Sequence, residues 1–142
     1  MILEELLKHN ATVISMTVND RIVDAALIMQ QQQVGSVVVT TDQKVVGIIT
    51  DRDIALALAL GAATPDSTVS EVMSRDVVTI PSTATMFEAA RIFRLSQVRR
   101  LPVIDRHQNL VGLISLDDMT SVLAREIFDT CSALEPAILR EI

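Results

Sequence analysis

The chain has 142 residues, a formal net charge of −6 and 49% hydrophobic residues, but only 2% of its residues are aromatic. This length suits one compact unit with an ample core, and no apolar run approaches the roughly 18 residues that span a bilayer. An acidic chain with three Phe and no Trp or Tyr lacks the basic faces and aromatic platforms typical of nucleic-acid binding. We therefore expect neither a nucleic-acid partner nor membrane association. The N-terminus shows no secretory signature, which favours a cytoplasmic protein.

One pattern occurs twice in the chain. The segment from Val13 to Asp53 returns from Val77 to Asp118, about 64 positions later and with one extra residue near Asn109. A period this long exceeds that of solenoid repeats, and each copy is short for an independent domain. The sequence therefore predicts two half-domains that share one core.

The predicted elements follow the same order in each copy. In the first copy, a short strand precedes a helix with apolar residues at helical spacing from Ile22 to Gln33. The β-branched runs Val37–Thr40 and Val45–Ile49 flank a polar turn, as in a hairpin. Thr50 is a favoured N-cap residue and begins a second helix. Each copy is thus predicted to be strand, helix, strand, strand, helix, and the fold class to be α/β (α+β).

The copies also predict an organisation for the whole chain. We expect a helical segment over residues 1–10, a first repeat over 11–61, a linker over 62–73, a second repeat over 74–124 and a C-terminal helical extension over 125–142 that is broken at Pro136.

The run from Ile54 to Gly61 is apolar on every side of its predicted helix. One side can pack on its own sheet, and the rest needs a further cover. We expect a second copy of the chain to provide it, and we predict a homodimer. Complete burial by the other repeat is the alternative.

Several motifs resemble a known family when they are taken in order. They are VMSRDVVTI (Val72–Ile80), VRRLPVI (Val98–Ile104) and the paired endings GIITDRD (Gly47–Asp53) and GLISLDD (Gly112–Asp118). Together they are similar to a tandem pair of cystathionine-beta-synthase (CBS) domains, or Bateman module, with no catalytic domain attached. The resemblance implies two β-α-β-β-α repeats, related by a pseudo-twofold axis and packed through their sheets, with two clefts between them. It also implies a regulatory adenosine ligand such as AMP, ADP, ATP or S-adenosylmethionine, with no required cofactor, no metal and no catalytic residue.

The resemblance assigns roles to particular residues. Thr50 and Ser115 would contact phosphate or ribose, Asp53 and Asp118 would accept hydrogen bonds from the ribose hydroxyls, and Arg99 and Arg100, with Arg52 behind them, would contact phosphate. The free amides and dipole at the helix start near Thr50 would also favour a phosphate. Adenine recognition would fall to backbone and apolar groups at Ile14, Ser15, Met16, Val37 and Val38 in the first half, and at Val78, Thr79, Ile80, Leu101 and Pro102 in the second.

Two observations leave the roles of these residues open. Thr50-x-x-Asp53 and Ser115-x-x-Asp118 have the spacing of a capping box, so helix capping is an alternative role for all four. In addition, Gly35-Ser36 stands where the second copy has Arg99-Arg100. Because the basic pair occurs only once, we expect the two clefts to differ in affinity.

The leading hypothesis is a sensor module that binds an adenosine nucleotide and changes its shape or its contacts with a partner protein. A ligand-free oligomerisation or interaction module is the alternative. An enzyme is the least favoured class, because no Ser/His/Asp, Cys/His or metal-ligand pattern is visible. We expect His9 and His107 to be solvated, and Cys131, the single cysteine, to be a buried or half-buried small apolar residue.

Overall fold

The computed structural model describes residues 1–8 and 13–140 and contains two three-stranded sheets. The strands are β1 (Ser15–Thr17), β2 (Ser36–Thr41) and β3 (Lys44–Thr50) in the first sheet, and β4 (Ile80–Pro81), β5 (Arg100–Ile104) and β6 (Leu110–Ser115) in the second. In each sheet the first strand pairs parallel with the central strand, and the third pairs antiparallel with it. The predicted mixed α/β fold of two similar repeats is confirmed.

Six helices complete this part of the chain. They are α1 (Leu3–Leu7), α2 (Ile22–Gln32), α3 (Asp51–Ala59), α4 (Val69–Val72), α5 (Met86–Ser96) and α6 (Leu116–Arg140). The break expected at Pro136 is absent, because α6 continues to Arg140. Cys131 of the same helix is exposed, which corrects the expectation that it is buried or half-buried. Two predictions fall outside the described residues: the boundary between residues 10 and 11, and the solvated state of His9. No helix within residues 1–8 and 13–140 has the length and apolar character needed to cross a bilayer.

The two repeats share their backbone irregularities as well as their regular elements. Gln33 and Gln97 end α2 and α5 in the left-handed conformation, each with a φ of 54°. The pairing register shifts after Val39 in the first sheet and after Val103 in the second. In each sheet the extra, unpaired residue lies in the third strand, at Val46 of β3 and at Val111 of β6, so these two strands bend at the same place.

The repeats have two separate cores, which corrects the expectation of a single shared one. Each core is completed by the short helix that precedes the other repeat. Leu3 of α1 is fully buried among residues of the second repeat, and Val69 of α4 is fully buried among those of the first. Backbone hydrogen bonds fix this exchange: the Leu3 N–H donates to the Ala84 carbonyl at 2.9 Å, and the Val69 N–H donates to the Asp20 carbonyl at 2.7 Å. Neither repeat therefore has a complete core from its own residues.

Side-chain alternation along the central strands determines which residues face the other repeat. Val37 and Val39 of β2 lie in the first core. Ser36 and Val38 point to the opposite face of the strand, because successive strand residues alternate. Val38 is nevertheless 0% exposed, so that face is also covered. On β5, Arg100 and Pro102 are in the equivalent positions.

Candidate functional site

A cleft of about 470 Å³ joins the two repeats where the central strands begin. Its lining comprises Gly35, Ser36, Ile48, Thr50, Asp51 and Arg52 from the first repeat, and Asp76, Val77, Val78, Val98, Arg99 and Arg100 from the second. This volume lies within the range of about 300–1,000 Å³ typical of small-molecule pockets. Both halves contribute to one cleft, so the basic pair and the Thr50 motif belong to the same cavity.

Matching backbone contacts place the motif residues at this cleft. The Asp51 N–H at the start of α3 donates to the Gly35 carbonyl at 3.0 Å, just before β2. The Leu116 N–H at the start of α6 donates to the Arg99 carbonyl at 2.9 Å, just before β5. Each hairpin therefore brings the start of its following helix beside the start of its central strand.

Both hydroxyl–carboxylate motifs form capping boxes. The Asp53 N–H donates to Thr50 Oγ1 at 3.0 Å, and the Thr50 N–H donates to Asp53 Oδ2 at 3.0 Å. In the second repeat, the Asp118 N–H donates to Ser115 Oγ at 3.0 Å, and the Ser115 N–H donates to Asp118 Oδ2 at 3.3 Å. Helix capping, the alternative role indicated by the spacing of these residues in the sequence, is therefore present in both repeats.

The amides at the start of α3 are occupied, contrary to the expectation that they are free for a phosphate. The Asp51 N–H bonds to the Gly35 carbonyl, and the Arg52 N–H donates to Asp51 Oδ1 at 2.8 Å. The Asp53 N–H bonds to Thr50. A phosphate would have to displace one of these acceptors, so the cleft needs other donors for an anion.

The cleft carries mixed charge with a small positive excess. Arg52, Arg99 and Arg100 supply three positive charges, and Asp51 and Asp76 supply two negative charges, which leaves +1. Arg99 forms an exposed ion pair with Asp117 at 3.4 Å. Arg100 is half-buried and forms no ion pair with any residue in the described part of the chain. A guanidinium in this state suits an anionic ligand group.

The residues predicted to recognise adenine lie in several different environments. Four of them have side chains buried in the core of their own repeat: Met16, Val37, Ile80 and Leu101. Of the other six, Val38 and Pro102 are fully buried outside both core clusters, Ile14 and Thr79 are half-buried, and Ser15 and Val78 are exposed. Val78 is the member of this set that lines the cleft. The remaining apolar walls of the cleft are Ile48, Val77 and Val98. None of these three was predicted from the sequence.

Ser36 is the most informative residue that the sequence analysis missed. It lines the cleft, is 7% exposed, and has the one buried side-chain oxygen or nitrogen that lacks a hydrogen-bond partner within the described residues. The repeat itself could have revealed it, because Ser36 aligns with Arg100 and alternates with the buried Val37.

Neither motif carboxylate, Asp53 or Asp118, is among the residues that line the cleft. Asp118 lines a groove of about 520 Å³ between α1 and α6, together with Glu5, Glu126 and Asp129. Arg125 is the basic residue in that lining. No group of three or more metal-ligating side chains occurs in the described ranges.

The paired repeats, their exchanged helices and the cleft between them define a tandem two-repeat module, and comparisons with known proteins identify its family. The CBS domain profile matches residues 3–60 and 69–125, so the chain belongs to the CBS domain family.

Individual relatives share this organisation. The CBS domain-containing protein YhcV of Bacillus subtilis is 37% identical over 101 residues, which are 71% of each chain. The crystal structure of the CBS domain protein NE2398 is 27% identical, with a TM-score of 0.77 over 87% of this chain and 98% of that one. The CBS domain pair of protein MJ0100, solved with 5′-methylthioadenosine and S-adenosyl-L-methionine, is 25% identical, with a TM-score of 0.76 over 89% and 98%.

Proposed function

We propose that this CBS pair is a non-catalytic regulatory module that binds an adenosine ligand (AMP, ADP, ATP or S-adenosylmethionine) in the cleft between its repeats. The observation that carries the proposal is the composition of that cleft, in which Thr50 and Arg52 of one repeat meet Val78, Arg99 and Arg100 of the other. Its volume suits a mononucleotide. The adenosine-type ligands of the MJ0100 pair support the same ligand class.

We assign a part of the ligand to each group of residues. The exposed Val78, with its apolar neighbours, offers a surface for the adenine ring. Arg52 and Arg100 would contact phosphate, and Arg99 would do so in exchange for its ion pair with Asp117. Oδ2 of the Asp53 carboxylate accepts a hydrogen bond from the Thr50 N–H, and the carboxylate retains lone pairs that can accept from a ribose hydroxyl. In the second repeat, Ser115 and Asp118 would act in the same way, with lower affinity because no equivalent arginine pair stands in the first repeat.

A ligand in this cleft can act as a signal because both repeats line it. Binding stabilises whichever arrangement of the repeats gives the ligand more contacts. The equilibrium between the arrangements shifts by the difference in the free energies with which they bind the ligand. The readout would be a change in dimer shape or in contacts with a protein target.

A homodimer is part of this proposal. Leu56 of α3 and Leu60, which caps its C-terminus, are 48% and 80% exposed. Ile127 and Phe128 of α6 are 64% and 69% exposed. The alternative of complete burial of the α3 run by the second repeat is therefore wrong. A second copy is the simplest cover for such apolar faces, and the same faces would also serve a ligand-free interaction module.

Thermal unfolding with a panel of ligands tests the proposal. We expect AMP, ADP, ATP or S-adenosylmethionine to raise the melting temperature of nucleotide-free protein and GMP to leave it unchanged. A ligand at one hundred times its dissociation constant adds about 2.7 kcal/mol to the free energy of unfolding. Asp53→Ala should reduce this ligand-induced shift. No shift with any of the four adenosine ligands would favour the interaction module instead.

Asp53→Ala needs a matched control because Asp53 also caps α3. Glu88 closes the same type of box at the start of α5, where the Thr85 N–H donates to Glu88 Oε2 at 2.8 Å. Glu88→Ala should lower the stability of the free protein by about 0.5–2 kcal/mol, as Asp53→Ala should, and should keep the full ligand-induced shift.

A further inference from the structure

Beside the cleft, the second repeat carries an acidic residue where the first carries a basic one. Asp117 aligns with Arg52, because the ending Gly112–Asp118 repeats the ending Gly47–Asp53. Asp117 Oδ1 lies 3.4 Å from Arg99 Nη2, and both side chains are exposed. An exposed ion pair contributes little to stability, but this one places a carboxylate against one of the three cleft arginines. The second repeat therefore lacks a counterpart of Arg52 and partly neutralises Arg99.

The first repeat has a carboxylate at the equivalent edge of the cleft. Gly35 lies just before β2, where the second repeat has Arg99 just before β5. A Cβ added to Gly35 would lie 3.4 Å from Asp51 Oδ2, so the Asp51 carboxylate packs on Gly35. Oδ1 of the same carboxylate accepts the hydrogen bond from the Arg52 N–H at 2.8 Å. These contacts hold a negative charge at the place where the second repeat has a guanidinium.

Charges of both signs are therefore balanced around the cleft. Its lining has three arginines and two carboxylates, Asp51 and Asp76, and Asp117 adds a third carboxylate beside Arg99. Asp51 and Asp76 form no ion pair with any residue within the ranges 1–8 and 13–140. A cavity of about 470 Å³ is only about 10 Å across, which is close to the Debye length at physiological ionic strength. A ligand in the cleft therefore interacts with all of these charges.

We propose that Asp51, Asp76 and Asp117 select the ligand by its charge, so that the cleft prefers an adenosine ligand with at most one phosphate group to ADP and ATP. This inference rests on the proposed function and narrows its ligand. The arginines can balance the charge of one phosphate group, but each further phosphate adds negative charge within range of the three carboxylates. AMP and S-adenosylmethionine meet the requirement, because AMP has one phosphate group and S-adenosylmethionine has none.

The test is titration calorimetry of nucleotide-free protein with AMP, ADP, ATP and S-adenosylmethionine. EDTA is present so that no metal ion offsets the charge of the phosphates. For wild type we expect the dissociation constant to rise from AMP to ADP and from ADP to ATP, by about threefold or more at each step. Asp117→Asn and Asp76→Asn each remove one negative charge with little change in shape. Each should reduce the ratio of the ATP dissociation constant to the AMP dissociation constant by about threefold to tenfold.

Asp42→Asn is the matched control, because it makes the same change in net charge. Asp42 is exposed in the turn between β2 and β3. The seven residues of β3 lead from this turn to Thr50. The turn therefore lies about 20 Å from the cleft, well beyond the Debye length. Asp42→Asn should leave the ratio of dissociation constants within about twofold of the wild-type value.

Two results would overturn the inference. One is wild-type binding of ADP or ATP that is as tight as the binding of AMP. The other is a ratio that Asp117→Asn and Asp76→Asn change no more than Asp42→Asn does. In both cases the wild type binds an adenosine nucleotide, so the proposed function survives.

Two further results are informative. Binding of S-adenosylmethionine without measurable binding of any nucleotide would support the inference, because that ligand carries no phosphate. Failure of the wild type to bind any of the four adenosine ligands would overturn both the inference and the proposed function.

Discussion

Gly47 and Gly112 occupy equivalent places in the two repeats, each under a side chain from the short helix region that precedes the other repeat. A Cβ added at Gly47 would lie 2.4 Å from the sulfur of Met73, and one at Gly112 would lie 2.5 Å from a methyl carbon of Leu7. Close packing therefore favours glycine at both positions, because a larger residue would force the Met73 or Leu7 side chain to move. These two glycines align the copies in the sequence, but the side chains that pack on them are visible only in the structure.

Asp105 gives the structure a pH-dependent contact in the β5–β6 turn. The Asn109 N–H donates to its carboxylate at 2.9 Å and the His107 N–H at 2.8 Å, and these bonds to the charged form lower the Asp105 pKa below its ordinary value. A lowered folded-state pKa adds stability above the unfolded-state value of about 3.9, and this stability is lost as the pH falls through the folded-state pKa.

Asp105→Asn should therefore be less stable than wild type at neutral pH, with a difference that narrows as the pH falls below about 4. Urea unfolding of both proteins between neutral pH and acid measures the difference. If the difference in unfolding free energy stays constant across this pH range, the stability of the turn does not depend on the charge of Asp105.

Among single residues, the sequence predicted motif positions better than side-chain directions. Thr50 and Arg100, which were selected through the family resemblance, line the cleft. Met16 and Leu101 were selected on the same grounds, but strand alternation turns their side chains into the cores. Ser36 was missed because an unsatisfied hydroxyl is a property of three-dimensional packing, which spacing alone does not report.

At the scale of elements, α1 and α4 are exchanged between the repeats. The local patterns of strands and helices follow from periodicity, and they were predicted correctly. The exchange was not predicted, because the partners of Leu3 lie about eighty residues away in sequence, around Ala84. Apolar periodicity shows that a helix must be covered, but it does not show which residues cover it.

Leu3→Ala tests the exchanged helix. Leu3 is 0% exposed and lies in the second core, so its truncation should lower the free energy of unfolding by about 2–5 kcal/mol. Leu95→Ala is the control, since Leu95 is 66% exposed, and it should change stability by no more than about 0.5 kcal/mol. Chemical denaturation measures both. Equal stability of the two variants would mean that α1 does not complete the second core.

At the scale of the whole molecule, the apolar faces of α3 and α6 lead to the predicted homodimer. Leu56→Asp combined with Leu60→Asp places two charges on the exposed surface at the C-terminal end of α3 and should convert the dimer to a folded monomer. Light scattering after size-exclusion chromatography should give twice the chain mass for wild type and for the exposed-site control Gln31→Glu. A wild-type monomer would contradict the prediction, as would a double variant that remains dimeric.

We propose that one cleft, built by both repeats, binds an adenosine ligand. Titration calorimetry of nucleotide-free wild-type protein with AMP, ADP, ATP, S-adenosylmethionine and GMP measures this binding. The proposal predicts saturable binding of an adenosine ligand at one dominant site per chain, because Thr50, Arg52 and Arg100 line a single cavity. An adenosine-specific module should bind GMP much more weakly. Equal binding of GMP, or no binding of any of the four adenosine ligands, would show that the cleft is not an adenosine site.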